Sequence, residues 1–288
     1  MISLTGMWRT WSTRLPLVLL AAASLVVACG SSSTTSSTAA GTQPATSTAP
    51  PRRPGVERYG YRIVQSHPHD PAAFTQGLTI ADGQLYEGTG LNGQSSIRRV
   101  DLRSGAVLQQ AALDGRYFGE GIAVVGDRIV QLTYQTEVGF VYDRKTFTRQ
   151  REFTYPGEGW GLTYDGTRLI MSDGSDTLRF WHPETLQEIG RLRVRDGDAA
   201  VTQINELEYV DGVLYANIWQ QDRIARIDPR SGVVTGWIDC SGLLTPSERA
   251  RGTDVLNGIA HDPSTGHLLI TGKLWPWIFE VELVRKPS

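Results

Sequence analysis

Five times between Phe74 and the C-terminus the chain repeats one order of features, and this repeat limits the possible fold more than any other property of the sequence. Each copy opens on a short apolar run carrying glycine or a polar side chain. The five runs are Phe74-Thr75-Gln76-Gly77-Leu78, Phe118-Gly119-Glu120-Gly121-Ile122, Gly159-Trp160-Gly161-Leu162, Ile204-Asn205-Glu206-Leu207 and Leu256-Asn257-Gly258-Ile259. A turn follows (Asp82-Gly83, Gly126-Asp127, Asp165-Gly166, Asp211-Gly212 or Thr265-Gly266), then a second apolar run that reads as its hairpin partner. Third strands are predicted over 97–102, 139–143, 178–181, 224–228 and 278–283, and fourth strands near 107–113, 148–155, 187–194 and 233–240. The fifth copy ends after three strands, while one extra strand over 61–65 precedes the first copy.

Four-stranded antiparallel units at intervals of roughly 40–54 residues are the signature of β-propeller blades. The expected fold is therefore all-β, a five-bladed β-propeller. The N-terminal strand completes the last blade, closes the ring and removes its open edges. In such a ring the first strand of each blade lines a central channel. Gln76, Glu120, Trp160, Asn205 with Glu206, and Asn257 all sit where these strands begin, so they should converge. Amides, carboxylates and an indole make a poor core and a reasonable pocket. Glu120 stands out because two glycines flank it, which lets the backbone turn tightly beside a ligand.

Ahead of the repeats the sequence changes character. Residues 1–28 have the layout of an export signal, with Arg9 and Arg14 before an apolar stretch over 17–28 that is short for a membrane span. It closes on Val26-Val27-Ala28-Cys29, which resembles a bacterial lipobox, so Cys29 is the expected lipidation site. Residues 29–55 are rich in Ser, Thr, Ala and Pro and cannot bury enough apolar surface to offset ordering entropy, so they read as a disordered tether. The folded domain is expected over 56–288. The predicted location is the outer face of the cytoplasmic membrane, held there by the lipid anchor only. Cys240 is the one cysteine left in that domain, so no internal disulfide is available and packing must supply stability. The formal charge is −2 and no basic stripe appears, which argues against nucleic acid as a partner. A monomer is expected.

Several short motifs resemble one family. These are His69-Asp70-Pro71 with Phe74-Thr75-Gln76-Gly77-Leu78, Phe118-Gly119-Glu120-Gly121, Gly157-Glu158-Gly159-Trp160-Gly161-Leu162, Ser172-Asp173-Gly174-Ser175, Asn205-Glu206-Leu207-Glu208-Tyr209 and Gly272-Lys273-Leu274-Trp275-Pro276. In order and spacing they resemble the plant- and bacterial-type glutaminyl-peptide cyclotransferases across residues 60–284. The resemblance implies a five-bladed propeller and conversion of an N-terminal glutaminyl residue of a peptide or protein to pyroglutamate, with release of ammonia. It places the catalytic acid on Glu120 and substrate contacts on Phe74, Gln76, Phe118, Trp160, Asn205, Glu206, Trp219 and Lys273. Two departures are visible. Tyr134 stands where many relatives have Trp and would reshape the pocket wall, and Trp277 stands where a basic residue is common.

The implied reaction joins an α-amine to the γ-carboxamide carbon of the same residue, so much of the entropic barrier disappears once the chain is curled. Glu120 would take a proton from the amine and return it to the leaving ammonia, and aromatic walls would raise its pKa. Lys273 with the amides of Gln76 or Asn205 would bind the γ-oxygen as charge develops. The scheme needs no cofactor and no metal. Two rival readings use the same residues. One is a calcium-dependent propeller lactonase or hydrolase, with Glu120, Asn205, Glu206 and Asn257 as oxygen ligands. The other is a non-catalytic binding propeller of the envelope. The His67-Pro68-His69-Asp70-Pro71 run reads as a rigid turn, and Asp173, Asp176 and Glu158 as loop braces accepting backbone N–H bonds.

Overall fold

The computed structural model describes residues 55–287, so the predicted signal over 1–28, the lipidation at Cys29 and the tether up to residue 54 lie outside the described residues. The chain opens with strand β1 (Glu57–Pro68). Two four-stranded runs follow, β2–β5 (Thr75–Ala81, Gln84–Thr89, Ser96–Val100, Val107–Ala112) and β6–β9 (Gly119–Val125, Arg128–Thr133, Val138–Asp143, Arg149–Thr154). The third is β10–β13 (Leu162–Tyr164, Leu169–Met171, Thr177–Trp181, Glu188–Arg193), trailed by a small hairpin of β14 (Arg195–Asp196) and β15 (Ala199–Ala200). Strands β16–β19 (Ile204–Val210, Val213–Ile218, Arg223–Ile227, Val234–Asp239) form the fourth. After helix α1 (Pro246–Arg249), β20–β22 (Leu256–Asp262, His267–Gly272, Trp277–Arg285) end the chain. The fold is all-β, with 22 strands and one four-residue helix among the described residues.

Three of the runs are separate four-stranded antiparallel sheets in chain order. The rest form one eight-stranded sheet in the order β16-β17-β18-β19-β1-β22-β21-β20. Strand β1 pairs antiparallel with β22 from Tyr59↔Arg285 to Pro68↔Trp277, and its first residues run parallel to β19. The five first strands pack in succession, β2 on β6, β6 on β10, β10 on β16, β16 on β20 and β20 on β2. Burial follows from that order. Strand β6, on the inside, is buried along nearly its whole length, whereas β9, the fourth of its run, is mostly exposed.

Apolar side chains fill the spaces between successive runs. Ile97 packs with Ile129 and Phe140, Leu132 with Leu169 and Trp181, and Ile170 with Leu214 and Trp237. Ile224 packs with Ile270 and Phe279, and Leu78 with Leu269 and Ile278. Each cluster joins two neighbouring runs, so no run buries its faces alone.

Two local expectations change. Strand β1 is longer than 61–65 and takes in His67 and Pro68, which are not a turn. Pro68 is tolerated because β1 has β22 on one side there and no second ladder needs its missing N–H. The β14–β15 hairpin and α1 have no counterpart in the repeat. Thr245 caps α1 through a reciprocal bond with Glu248.

Candidate active site

The ladder between first and second strands is irregular in four of the runs. The residues it skips are Gln76, Glu120 with Gly121, Asn205 with Glu206, and Asn257 with Gly258. A bulge leaves its extra residue out of the ladder and turns that side chain away from the pleat. Glycine makes room for this at residue 121, whose Cβ would lie 2.5 Å from the Trp160 carbonyl oxygen, while its own N–H donates to that oxygen at 2.7 Å. The bulges of the first, second and fourth runs thereby deliver Gln76, Glu120 and Asn205 to one place.

That place is a cavity of about 370 Å³. Glu120, Gln76, Asn205 and Lys273 supply its polar lining, and Phe74, Phe118, Tyr134, Trp160 and Trp219 its aromatic wall. Phe118 packs against Phe74 and Tyr134, each with ring centroids 5.9 Å apart, and Trp160 meets Trp219 edge-on at 5.7 Å. The Lys273 Nζ lies 4.8 Å from the centre of the Phe74 ring. A larger cleft of about 720 Å³ runs past Gln65, Asp101, Arg103 and Asp262 and contains none of these groups.

Glu120 is 4% exposed, and its Oε1 accepts a hydrogen bond from Gln76 Nε2 at 2.9 Å. Burial pushes its carboxyl well above the usual range. Lys273 opposes that shift and Glu158 adds to it. Burial also lowers the Lys273 ammonium against the pull of Glu120 and Asp254. Both groups are thus drawn toward their neutral forms, the condition for passing a proton near neutral pH. Asn205 leaves its Oδ1 buried without a protein partner, so this acceptor is free for a ligand N–H.

Two of the predicted site residues do not line the cavity. Glu206 is buried with Oε1 on the Leu78 N–H at 3.1 Å and Oε2 on the Ile259 N–H at 2.8 Å. It ties β16 to β2 and β20 instead of facing a ligand. Asn257 donates from Nδ2 to the Thr75 carbonyl and to Gln76 Oε1, holding the residue that holds Glu120. His67 and His69 are both buried. His67 bonds Glu280, while His69 sits between Glu87 Oε1 at 2.9 Å and the Trp275 carbonyl at 2.7 Å. Asp173 braces its loop as expected for a backbone acceptor. Asp176 bonds the Thr177 hydroxyl and Glu158 accepts from side chains, so neither matches the predicted backbone role.

Gln220, Asp254 and Val255 also line the cavity and were not anticipated. The repeat held a signal for part of this. The residue just after each second strand donates to the carbonyl just before the first, as Gly90 to Phe74, Tyr134 to Phe118, Trp219 to Gln203 and Lys273 to Val255. Aligning the copies at that position places Val255 with Phe74 and Phe118.

A buried acid, a free amide oxygen, an amine donor and aromatic walls define the class: an all-β protein with a polar, aromatic-walled cavity where its repeats converge. The chain belongs to the glutamine cyclotransferase family, whose model matches residues 29–283. Over 227 residues it is 44% identical to the glutaminyl-peptide cyclotransferase of Arabidopsis thaliana, covering 77% of this chain and 70% of that protein. The crystal structure of Myxococcus xanthus glutaminyl cyclase matches with a TM-score of 0.75 at 39% identity, across 80% of this chain and 99% of the other.

Proposed function

We propose that this chain is a glutaminyl-peptide cyclotransferase that converts N-terminal glutaminyl residues to pyroglutamate and ammonia, with Glu120 as the proton shuttle. The names of the Arabidopsis thaliana and Myxococcus xanthus proteins support the reaction. The observation that carries the assignment of Glu120 is its burial at the cavity wall with a raised pKa and one amide partner.

The α-amine attacks the γ-carboxamide carbon and passes a proton to Glu120. The carbon–nitrogen bond of the carboxamide then breaks, and Glu120 returns the proton to the departing ammonia. Gln76 is engaged with Glu120 and Asn257, which leaves Lys273 as the better donor to the developing oxyanion, while the unpartnered Asn205 Oδ1 accepts from the substrate's N–H groups. Trp160 and Trp219 wall the aliphatic stem and keep water from competing. The calcium reading is not favoured. Both Glu206 oxygens already accept backbone N–H bonds, and no group of three or more His, Cys, Asp or Glu among the described residues is arranged to hold a metal ion.

The reading of the fold as a five-bladed propeller closed by the N-terminal strand is supported by four successive four-stranded runs, a three-stranded last run, and the pairing of β1 with β22. Export and anchoring through Cys29 rest on the N-terminal sequence. Mass spectrometry of a Gln-initiated peptide tests the reaction through loss of ammonia. Glu120→Gln should lower kcat by about 10² to 10⁴ and abolish the acidic limb of the kcat/KM profile. That limb should lie above the usual carboxylate range, because the raised Glu120 must lose its proton to act as base. A Gln variant within about twofold of the parent removes Glu120 from the mechanism, given the usual worth of such groups.

A further inference from the structure

Glu158 lies outside the cavity lining, yet it ties two of its walls together. Its Oε2 accepts the Trp160 indole N–H at 2.9 Å, and its Oε1 accepts the Gln135 amide at 2.9 Å. Gln135 follows Tyr134, another wall residue, and the Gly159 N–H donates to the Tyr134 carbonyl at 3.1 Å. On its other sides the indole is confined by Trp219 and by Gly174, where a Cβ would come within 2.7 Å of the ring.

We propose that Glu158 is a positioning residue of this site, which captures the Trp160 N–H so that the indole offers the substrate only its carbon surface. The inference rests on the cyclase reading of the cavity. Captured in this way, the indole cannot donate to the γ-oxygen or the leaving nitrogen, and polar recognition stays with Glu120, Asn205 and Lys273. The same carboxylate acts on Glu120 through space. The groups that bear on Glu120 are the Lys273 ammonium, the Glu158 carboxylate and the neighbouring Tyr134 and Tyr155 hydroxyls, and of these Glu158 adds negative charge. Removing that charge makes Glu120 easier to ionise.

Three variants separate the hydrogen bond from the charge. Glu158→Gln keeps an oxygen for the indole and loses the charge, so KM should stay within about twofold while the acidic limb of kcat/KM moves to lower pH. Glu158→Ala loses both, and KM should rise about five- to tenfold, the worth of one hydrogen bond. In a Trp160→Phe background, with no N–H to hold, Glu158→Ala should change KM no further. Thermal unfolding of each variant confirms that the fold is retained. An unchanged KM in Glu158→Ala, an equal rise in Glu158→Gln, or the same rise in the Trp160→Phe background overturns the proposal. A fully active Glu120→Gln variant sinks the acid–base reading instead, and the KM comparison does not depend on it.

Discussion

Glu87→Gln tests whether the buried charges beside the site hold its shape. Glu87 is 1% exposed and accepts from His69 Nε2 at 2.9 Å and from the Thr75 hydroxyl at 2.8 Å, with Arg98 at 3.8 Å. His69 has an acceptor at each ring nitrogen, Glu87 on one side and the Trp275 carbonyl on the other, an arrangement that favours its doubly protonated form. Removing one charge strands the other in the interior, which costs about 3–5 kcal/mol. For a domain of this size that is a fall in Tm of about 6–20 °C.

The pH dependence follows from both partners. Burial alone would lower His69, but the Glu87 charge and hydrogen bonds outweigh it and hold the imidazole above its usual 6.5. Its contribution is complete below 6.5 and is lost as pH rises through the folded value. Burial alone would raise Glu87, but His69, Arg98 and Thr75 keep it below its usual 4.5. That contribution is present above 4.5 and is lost as pH falls through the folded value. Thermal unfolding by circular dichroism should therefore show the largest gap between parent and variant in the middle of the range, narrowing at both ends. Trp275 shares a loop with Lys273, and the Leu274 N–H bonds the Ala73 carbonyl beside Phe74, so KM should rise in the variant as well. A Tm change under about 2 °C, or a gap that does not vary with pH, refutes the charged pair.

Glu206→Gln should leave kcat within about twofold but cost about 1–3 kcal/mol in urea unfolding, because its amide would turn a donor onto the Leu78 or Ile259 N–H. A large loss of kcat with unchanged stability would return Glu206 to the site. Gly174→Ala places a methyl group 2.7 Å from the Trp160 ring at a backbone φ of +78°, and should lower kcat/KM by about tenfold to 10² through displacement of the indole. Unchanged kinetics there would mean that Trp160 does not shape the pocket. Cys29→Ser should release the protein from membranes in a fractionation assay without changing the activity of the isolated domain. Mature, membrane-bound protein from that variant would rule out Cys29 as the anchor.

Much of the architecture could be read from local pattern. Alternating burial, glycine-bearing turns and their fivefold recurrence specify hairpins, because each depends on residues close together in the chain. The same recurrence brought Gln76, Glu120, Trp160 and Asn205 to one cavity, since equivalent positions of packed repeats must be neighbours. Lys273 and Trp219 came from family motifs, although the position after each second strand also marks them.

Tertiary structure alone decided where each polar side chain points once it reaches the centre. Asn205 and Glu206 are adjacent in one bulge, yet Asn205 faces the cavity and Glu206 takes backbone N–H groups from β2 and β20. Asn257 is committed to partners more than 180 residues away in the chain, at Thr75 and Gln76. The buried His69–Glu87 pair is equally invisible in sequence, where the histidine looked like part of a turn. The physical reason is the same in each case. A strand pattern records which residues leave water, whereas the partner that satisfies a buried polar group is chosen by whichever segment the closed packing sets against it.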